Sequence, residues 1–184
     1  VAGRWYHGVE FGVLAAGAVL VAATAVFVPM RIRHLLDVAG LGCRITTLAA
    51  GGNVQLALYQ ANQYSLLPTG TPLMVTASQV TDAAGVFAPT PTPAKVRIPP
   101  GLYWAAINAD ASAGGTVIMQ VGGAAITNMG AIVGGAQASI SSAAAAGNFY
   151  RKASLAFGSW PDANSFTTTE GVDQASFAPQ FLAA

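Results

Sequence analysis

The chain has 184 residues, enough for one domain or one domain with extensions; 53% of them are hydrophobic and only 8% are charged. Ordinary soluble domains carry about 25% charged residues, so much of this surface is either apolar or covered, by lipid or by other protein subunits. The net charge of +1, from 8 Lys+Arg against 7 Asp+Glu, gives no electrostatic case for nucleic acid.

Residues 1–24 read as an N-terminal extension packed against other subunits. The chain begins at Val1, as after removal of an initiator methionine or after processing. Phe11 to Val28 holds no charge over a length that could span a membrane. Ala and Gly fill eight of its eighteen positions, however, and basic flanks are lacking apart from Arg31 and Arg33 beyond Pro29. The β-branched end, Val26-Phe27-Val28 before Pro29, looks like a strand stopped by proline. A buried or subunit-covered β segment is therefore preferred to a membrane span.

A β-sandwich domain is expected over 25–166. Met30 to Val38 alternates as one strand, with Ile32, His34 and Leu36 on the apolar face and Arg31, Arg33 and Asp37 on the other. His34 is then a hydrogen-bonded core or interface histidine. Arg31, Arg33 and Arg44 form the nearest approach to a basic cluster and read as a solvated strand face. Gly40 and Gly42 are expected to break the run before a short strand at Arg44 to Leu48. Cys43, the sole cysteine, reads as a buried small hydrophobe.

After the Gly51-Gly52-Asn53 turn signal, Val54, Leu56 and Leu58 share one face of a strand that ends at Tyr59. Gln60 to Gly70 is expected as a loop and Thr71 to Val80 as a strand. Pro89, Pro91 and Pro93 remove ladder donors, so their segment is a connector or a sheet edge. Lys95 to Ile98 alternates, and Pro99-Pro100-Gly101 makes a turn by fixed φ followed by glycine freedom.

Leu102 to Ile107 is the next strand. Its adjacent Tyr103 and Trp104 must point to opposite faces, one into a core and one over the opposite face or an interface. Thr116 to Val121 is a further strand, and the uncharged Gly122 to Gly147 reads as a long loop or subunit-packed segment. Asn148 to Trp160 holds the last major strand or pair, and 167–184 is a tail able to dock on a neighbour. Short strands, Gly/Pro/Asn turns and no long amphipathic helix give an all-β fold class: an antiparallel, jelly-roll-like β-sandwich with extended terminal segments.

Catalytic signatures are missing. The carboxylates are scattered, with only Glu170 and Asp173 close in sequence, and Gly-x-Ser-x-Gly is absent. No Gly-Gly pair precedes a Lys-Ser/Thr, so no phosphate loop is indicated. Two histidines and one cysteine make neither a metal site nor a nucleophile pair, and no cofactor is expected.

Three segments taken together resemble β-sandwich domains of bacteriophage virion proteins, those of tail fibres, spikes and head or tail decorations. The first is Val54-Gln55-Leu56-Ala57-Leu58-Tyr59 followed by a loop and Leu67-Pro68-Thr69-Gly70-Thr71-Pro72-Leu73. The second is Ile98-Pro99-Pro100-Gly101-Leu102-Tyr103-Trp104-Ala105-Ala106. The third is Val26-Phe27-Val28-Pro29 with Ile32, and Trp160-Pro161 near the end. Here the loop reads Pro68-Thr69-Gly70 where the pattern has an adjacent Pro-Gly pair. The resemblance covers about Ala25 to Asp110. It implies a non-enzymatic structural component of a virion, and it carries over no catalytic residue.

On that reading the protein is a homo-oligomer, with a trimer expected around a fibre or spike, and it contacts other virion proteins. Tyr59, Tyr103, Trp104 and Trp160 are the expected core or interface anchors. Asn62, Gln63 and Tyr64 are the candidate contacts for a host-surface glycan. The alternatives are a membrane-anchored protein spanning at 11–28 and a carbohydrate-active enzyme.

Overall fold

The computed structural model describes residues 5–7, 14–47, 51–82, 85–110, 117–122, 150–171 and 180–183. The strands run β1 (Trp5–His7), β2 (Leu14–Leu20), β3 (Thr24–Ile32), β4 (Leu36–Thr47), β5 (Asn53–Ala61), β6 (Pro68–Thr76), β7 (Gln79–Val80) and β8 (Gly85–Phe87). They continue with β9 (Pro91–Thr92), β10 (Val96–Ile98), β11 (Gly101–Asp110), β12 (Val117–Gly122), β13 (Tyr150–Ser154), β14 (Thr169–Gly171) and β15 (Gln180–Ala183), and one 3-10 turn covers Ala163–Ser165. The fold is all-β and antiparallel, as expected.

The strands form two sheets. One has the order β14-β13-β3-β11-β5-β6-β9, with β7 also on β5. The other has the order β1-β15-β4-β12-β2, with β8 and β10 also on β4. Strict alternation in β3, β5 and β11 gives the first sheet two apolar faces. Its inner face presents Val28 and Met30 from β3, Leu56 and Leu58 from β5, and Ala105 and Ile107 from β11. These pack with Val38, Leu41 and Cys43 of β4 and Ile98 of β10, so the two sheets share one core.

The outer face carries Phe27, Ala57, Tyr59, Trp104 and Ala106, and among the described residues no second sheet covers it. It packs instead with Ala153, Leu155, Ala163, Trp160 and Phe166, from β13 and the irregular segment that follows. The small alanines leave room for this strap, and Phe27 meets the rings of Tyr59 and Phe166 at centroid distances of 5.7 Å.

Several sequence expectations need correction. Met30 to Val38 is not one strand: β3 ends at Ile32, a turn covers 33–35, and β4 starts at Leu36 in the other sheet. The alternation persists because Ile32 and Val38 reach the same core from opposite sides. His34 lies in the turn and is exposed, not buried. Gly40 and Gly42 do not break the chain; β4 runs through both, and they pair with Leu182 and Gln180. Ladder partners hold the extended backbone there, against glycine's weak strand preference.

The apolar stretch before Pro29 is strand, turn and strand. β2 pairs with β12, Val21 to Ala23 turns, and β3 enters the other sheet. No helix among the described residues is long and apolar enough to cross a membrane. Pro91-Thr92 is a sheet edge, paired with β6. The expected 60–70 loop is shorter, because β5 extends to Ala61 and β6 starts at Pro68. β13 covers Tyr150–Ser154, and the segment from 167 on supplies β14, paired with β13, and β15, paired with β4 and β1 of its own chain. Most of the expected 122–147 segment, from residue 123 on, lies outside the described residues.

Candidate functional site

At one end of the eight-stranded sheet three connections come together: the 33–35 turn, the 62–67 turn and the Pro99-Pro100 turn. Between them lies an open groove of about 720 Å³, lined by Arg31, Ile32, Arg33, Leu66, Pro100, Gly101 and Leu102. That volume falls within the range of small-ligand sites, about 300–1,000 Å³.

The register of β3 on β11 builds the groove. Along the outer face the rows run Phe27 opposite Ala106, Pro29 opposite Trp104 and Arg31 opposite Leu102. The first two rows are buried in the outer core, and Arg31 is exposed where that face ends. Gly101 pairs with Ile32, and Tyr103 donates its hydroxyl to the Pro99 carbonyl at 2.8 Å, which holds the Pro-Pro-Gly turn against the strand. Proline has no N–H, so this wall offers no donor at Pro99 or Pro100. The charged residues of the groove lining are Arg31 and Arg33.

The opposite wall is a closed turn. The Asn62 Oδ1 accepts from the backbone N–H groups of Tyr64 and Ser65 at 2.8 and 3.0 Å. The Asn62 backbone accepts from the Leu66 N–H at 2.9 Å and donates to the Leu67 carbonyl at 2.8 Å. Leu66 is held in the left-handed region, at φ 59°, a conformation uncommon for a residue with a branched side chain. Trp104 fixes it further, donating Nε1–H to the Leu66 carbonyl at 2.9 Å. One buried aromatic thus ties the outer core to the groove wall.

Asn62, Gln63 and Tyr64, expected as ligand contacts, fall in this turn. Asn62 is half-buried and its side-chain oxygen is spent on the turn itself. Gln63 is exposed, and Tyr64 stands at the tip with 87% of its surface open.

The expected anchors are spread over both cores. Tyr103 and Trp104 are both buried, in the inner and outer core respectively. The cover over Trp104 comes from the strap of the same chain. Tyr59 is fully buried and donates its hydroxyl to the Pro161 carbonyl at 2.9 Å. Burial, with the Asp162 charge second, raises its phenol above the ordinary range. Trp160 is half-buried and donates Nε1–H to the Gln55 Oε1 at 2.7 Å.

Two further residues escaped sequence reasoning. Asn108, buried in β11, donates its amide to the Leu155 and Ala156 carbonyls at 3.0 and 3.1 Å, while its Oδ1 has no partner among the described residues. Gln55 also donates Nε2–H to the Thr76 carbonyl at 2.7 Å. The available signal was a lone amide inside an apolar run in each case.

The titratable groups with resolved bonds serve structure. Asp37 takes a bidentate pair from Arg97, Nε at 2.7 Å and Nη2 at 3.1 Å, and Lys95 Nζ lies 3.0 Å away. These bonds, Arg97 first, hold its carboxyl well below the usual range. Asp82 accepts from the Gly51 N–H, and Asp162 caps the 3-10 turn through the Asn164 N–H. Burial pushes the Cys43 thiol up to about 12, so it stays protonated at neutral pH. Among the described residues, no three His, Cys, Asp or Glu side chains lie together as a metal site. No protein family matches the chain, and no curated protein or solved structure is significantly similar to it.

Proposed function

We propose that the chain is a non-enzymatic structural subunit of a phage or phage-like virion. It is a jelly-roll-like sandwich that assembles as a homo-oligomer, a trimer on our reading, within a fibre, spike or decoration. The observation that carries the reading is the position of the segments that resemble such proteins. Val26–Pro29 lies in β3, Val54–Tyr59 in β5 and Leu102–Ala106 in β11, three neighbouring strands in which Trp104 pairs with both Pro29 and Tyr59. Their connecting turns, at Pro99–Gly101 and before Pro68, flank one groove end.

The low charge of 8% supports subunit contacts, since permanent interfaces are more apolar than ordinary surface. Exposed Val21, Leu35, Leu67 and Val80 offer apolar contacts of this kind. The groove end, with Tyr64 at its rim turn, is the part of the subunit suited to touching a host surface.

Antibody labelling of purified particles tests the location: label on a tail or capsid supports the reading, and particles free of the protein overturn it. Light scattering coupled to size exclusion tests the assembly. A mass three times that of the chain is expected, and a monomer at all concentrations would refute the subunit role.

A further inference from the structure

We infer that the end of the sandwich carrying the 33–35 and 62–67 turns docks on the surface of a lipid bilayer with anionic headgroups. The contact is peripheral and not a span. The inference rests on the attachment side of the proposed function and names what is touched.

Three features of this end point to that partner. The first is apolar bulk at the tips. Leu35 is 62% exposed and Tyr64 87%, with Leu67 at 36% in the same turn as Tyr64. The two turns adjoin, since residues of both line one groove. Large apolar groups left open together mark contact surfaces, and a tyrosine, apolar in body and polar at its end, suits the headgroup level. The second feature is charge. Arg31 is exposed on β3 just before the first turn, and beyond that turn Lys95 and Arg97 share the carboxylate of Asp37. These groups carry three positive charges against one negative. At the far end, by contrast, exposed Val80 lies two residues from exposed Asp82, and its ladder partner Asn53 also pairs with Asp110. Of the two sets of apolar tips, an anionic surface favours the first.

The third feature is the backbone of the tips. The Asn62 Oδ1 takes the N–H groups of Tyr64 and Ser65, and the Asn62 carbonyl takes that of Leu66. Pro99 and Pro100, exposed in the adjoining turn, have no N–H at all. An unpaired backbone donor is costly to move out of water. A tip whose donors are met internally therefore enters the headgroup region at less cost. Trp104 holds the 62–67 turn from behind, so Tyr64 is presented before contact, which lowers the ordering cost of binding.

The test is flotation of the full chain with vesicles of phosphatidylcholine alone and of phosphatidylcholine mixed with phosphatidylglycerol. Binding to the mixed vesicles is expected, weakened by salt and much weaker for the neutral ones. Tyr64→Ala should weaken it roughly tenfold through lost apolar contact. Arg31→Ala should weaken it roughly fivefold, the worth of one cation near an anionic surface. Val80→Ala, at the far end, should leave it unchanged, and urea unfolding checks that each variant is folded. No vesicle binding, equal binding to neutral vesicles, indifference to both Tyr64→Ala and Arg31→Ala, or an equal loss in Val80→Ala would each overturn the docking end. So would a soluble sulfated polysaccharide that binds the chain as tightly and without regard to Tyr64→Ala, since the partner would then be a polyanion and not a bilayer. Particle labelling is read separately: labelled particles without vesicle binding remove only this inference, and vesicle binding by a protein absent from particles removes only the virion reading.

Discussion

The two faces of the eight-stranded sheet are buried by different means. The inner face meets another sheet, and its contacts are mostly aliphatic side chains that interdigitate without direction. The outer face meets an irregular strap, and each crossing point is fixed by a directed bond: Asn108 to Leu155 and Ala156, Trp160 to Gln55, Tyr59 to Pro161. A strap has backbone groups with no ladder to satisfy them, so a sheet covered in this way must supply polar atoms from within its apolar face. Two sheets facing each other need no such atoms.

Breaking the outer face should have the largest effect. Trp104→Ala is expected to cost about 3–5 kcal/mol, read by urea unfolding, and to expose the 62–67 turn to proteases. Leu56→Ala on the inner face should cost a comparable amount, about 2–5 kcal/mol, without freeing that turn. A Trp104→Ala loss below about 1 kcal/mol would mean that the strap side is no core at all.

Asn108→Ala sharpens the contrast. It should cost about 1–3 kcal/mol and speed hydrogen exchange in the strap while the amides of β4 and β10 keep their protection. Tyr59→Phe removes one donor and should cost about 0.5–1.5 kcal/mol. In the wild type the raised Tyr59 phenol favours the folded protein below the ordinary tyrosine pKa, near 10, and that contribution is lost as pH climbs through the higher folded value. Tyr59→Phe should therefore flatten the alkaline limb of a stability–pH curve.

The smallest effect is expected at Asp37, an ion pair at the surface. Its carboxyl is depressed in the folded state, so its contribution is complete above the ordinary value of 3.8 and is lost as pH falls through the lower folded one. Asp37→Asn should flatten the acid limb slightly and lower neutral-pH stability by the same small amount, since the pair is solvent-exposed.

The strands with one partner face were legible in the sequence because alternation reports burial directly, as at Val54, Leu56 and Leu58. What alternation cannot report is which sheet a strand joins. Ile32 and Val38 keep one phase across a turn because they face each other's sheets, and the turn itself, Arg33-His34-Leu35, has no glycine, proline or asparagine to mark it. β4 passes through two glycines for the converse reason: its order comes from strands distant in sequence. The strap was hidden because its bonds use ordinary carbonyls, and only the isolated amides of Gln55 and Asn108 hinted that something polar had to be met. Arg31 and Arg33 were visible as a pair on a strand, but their grouping with Leu66 and Gly101 needed the sheet register.

The proline-flanked edge has a bearing on assembly. β9 is the last strand beyond β6, and Pro91 sits in it while Pro89 and Pro93 stand on either side. A foreign strand approaching there would find alternate positions unable to donate, so continuous strand addition is blocked on that flank. Copies of the chain brought to high local concentration can therefore meet through their side chains at this flank without fusing into an endless sheet.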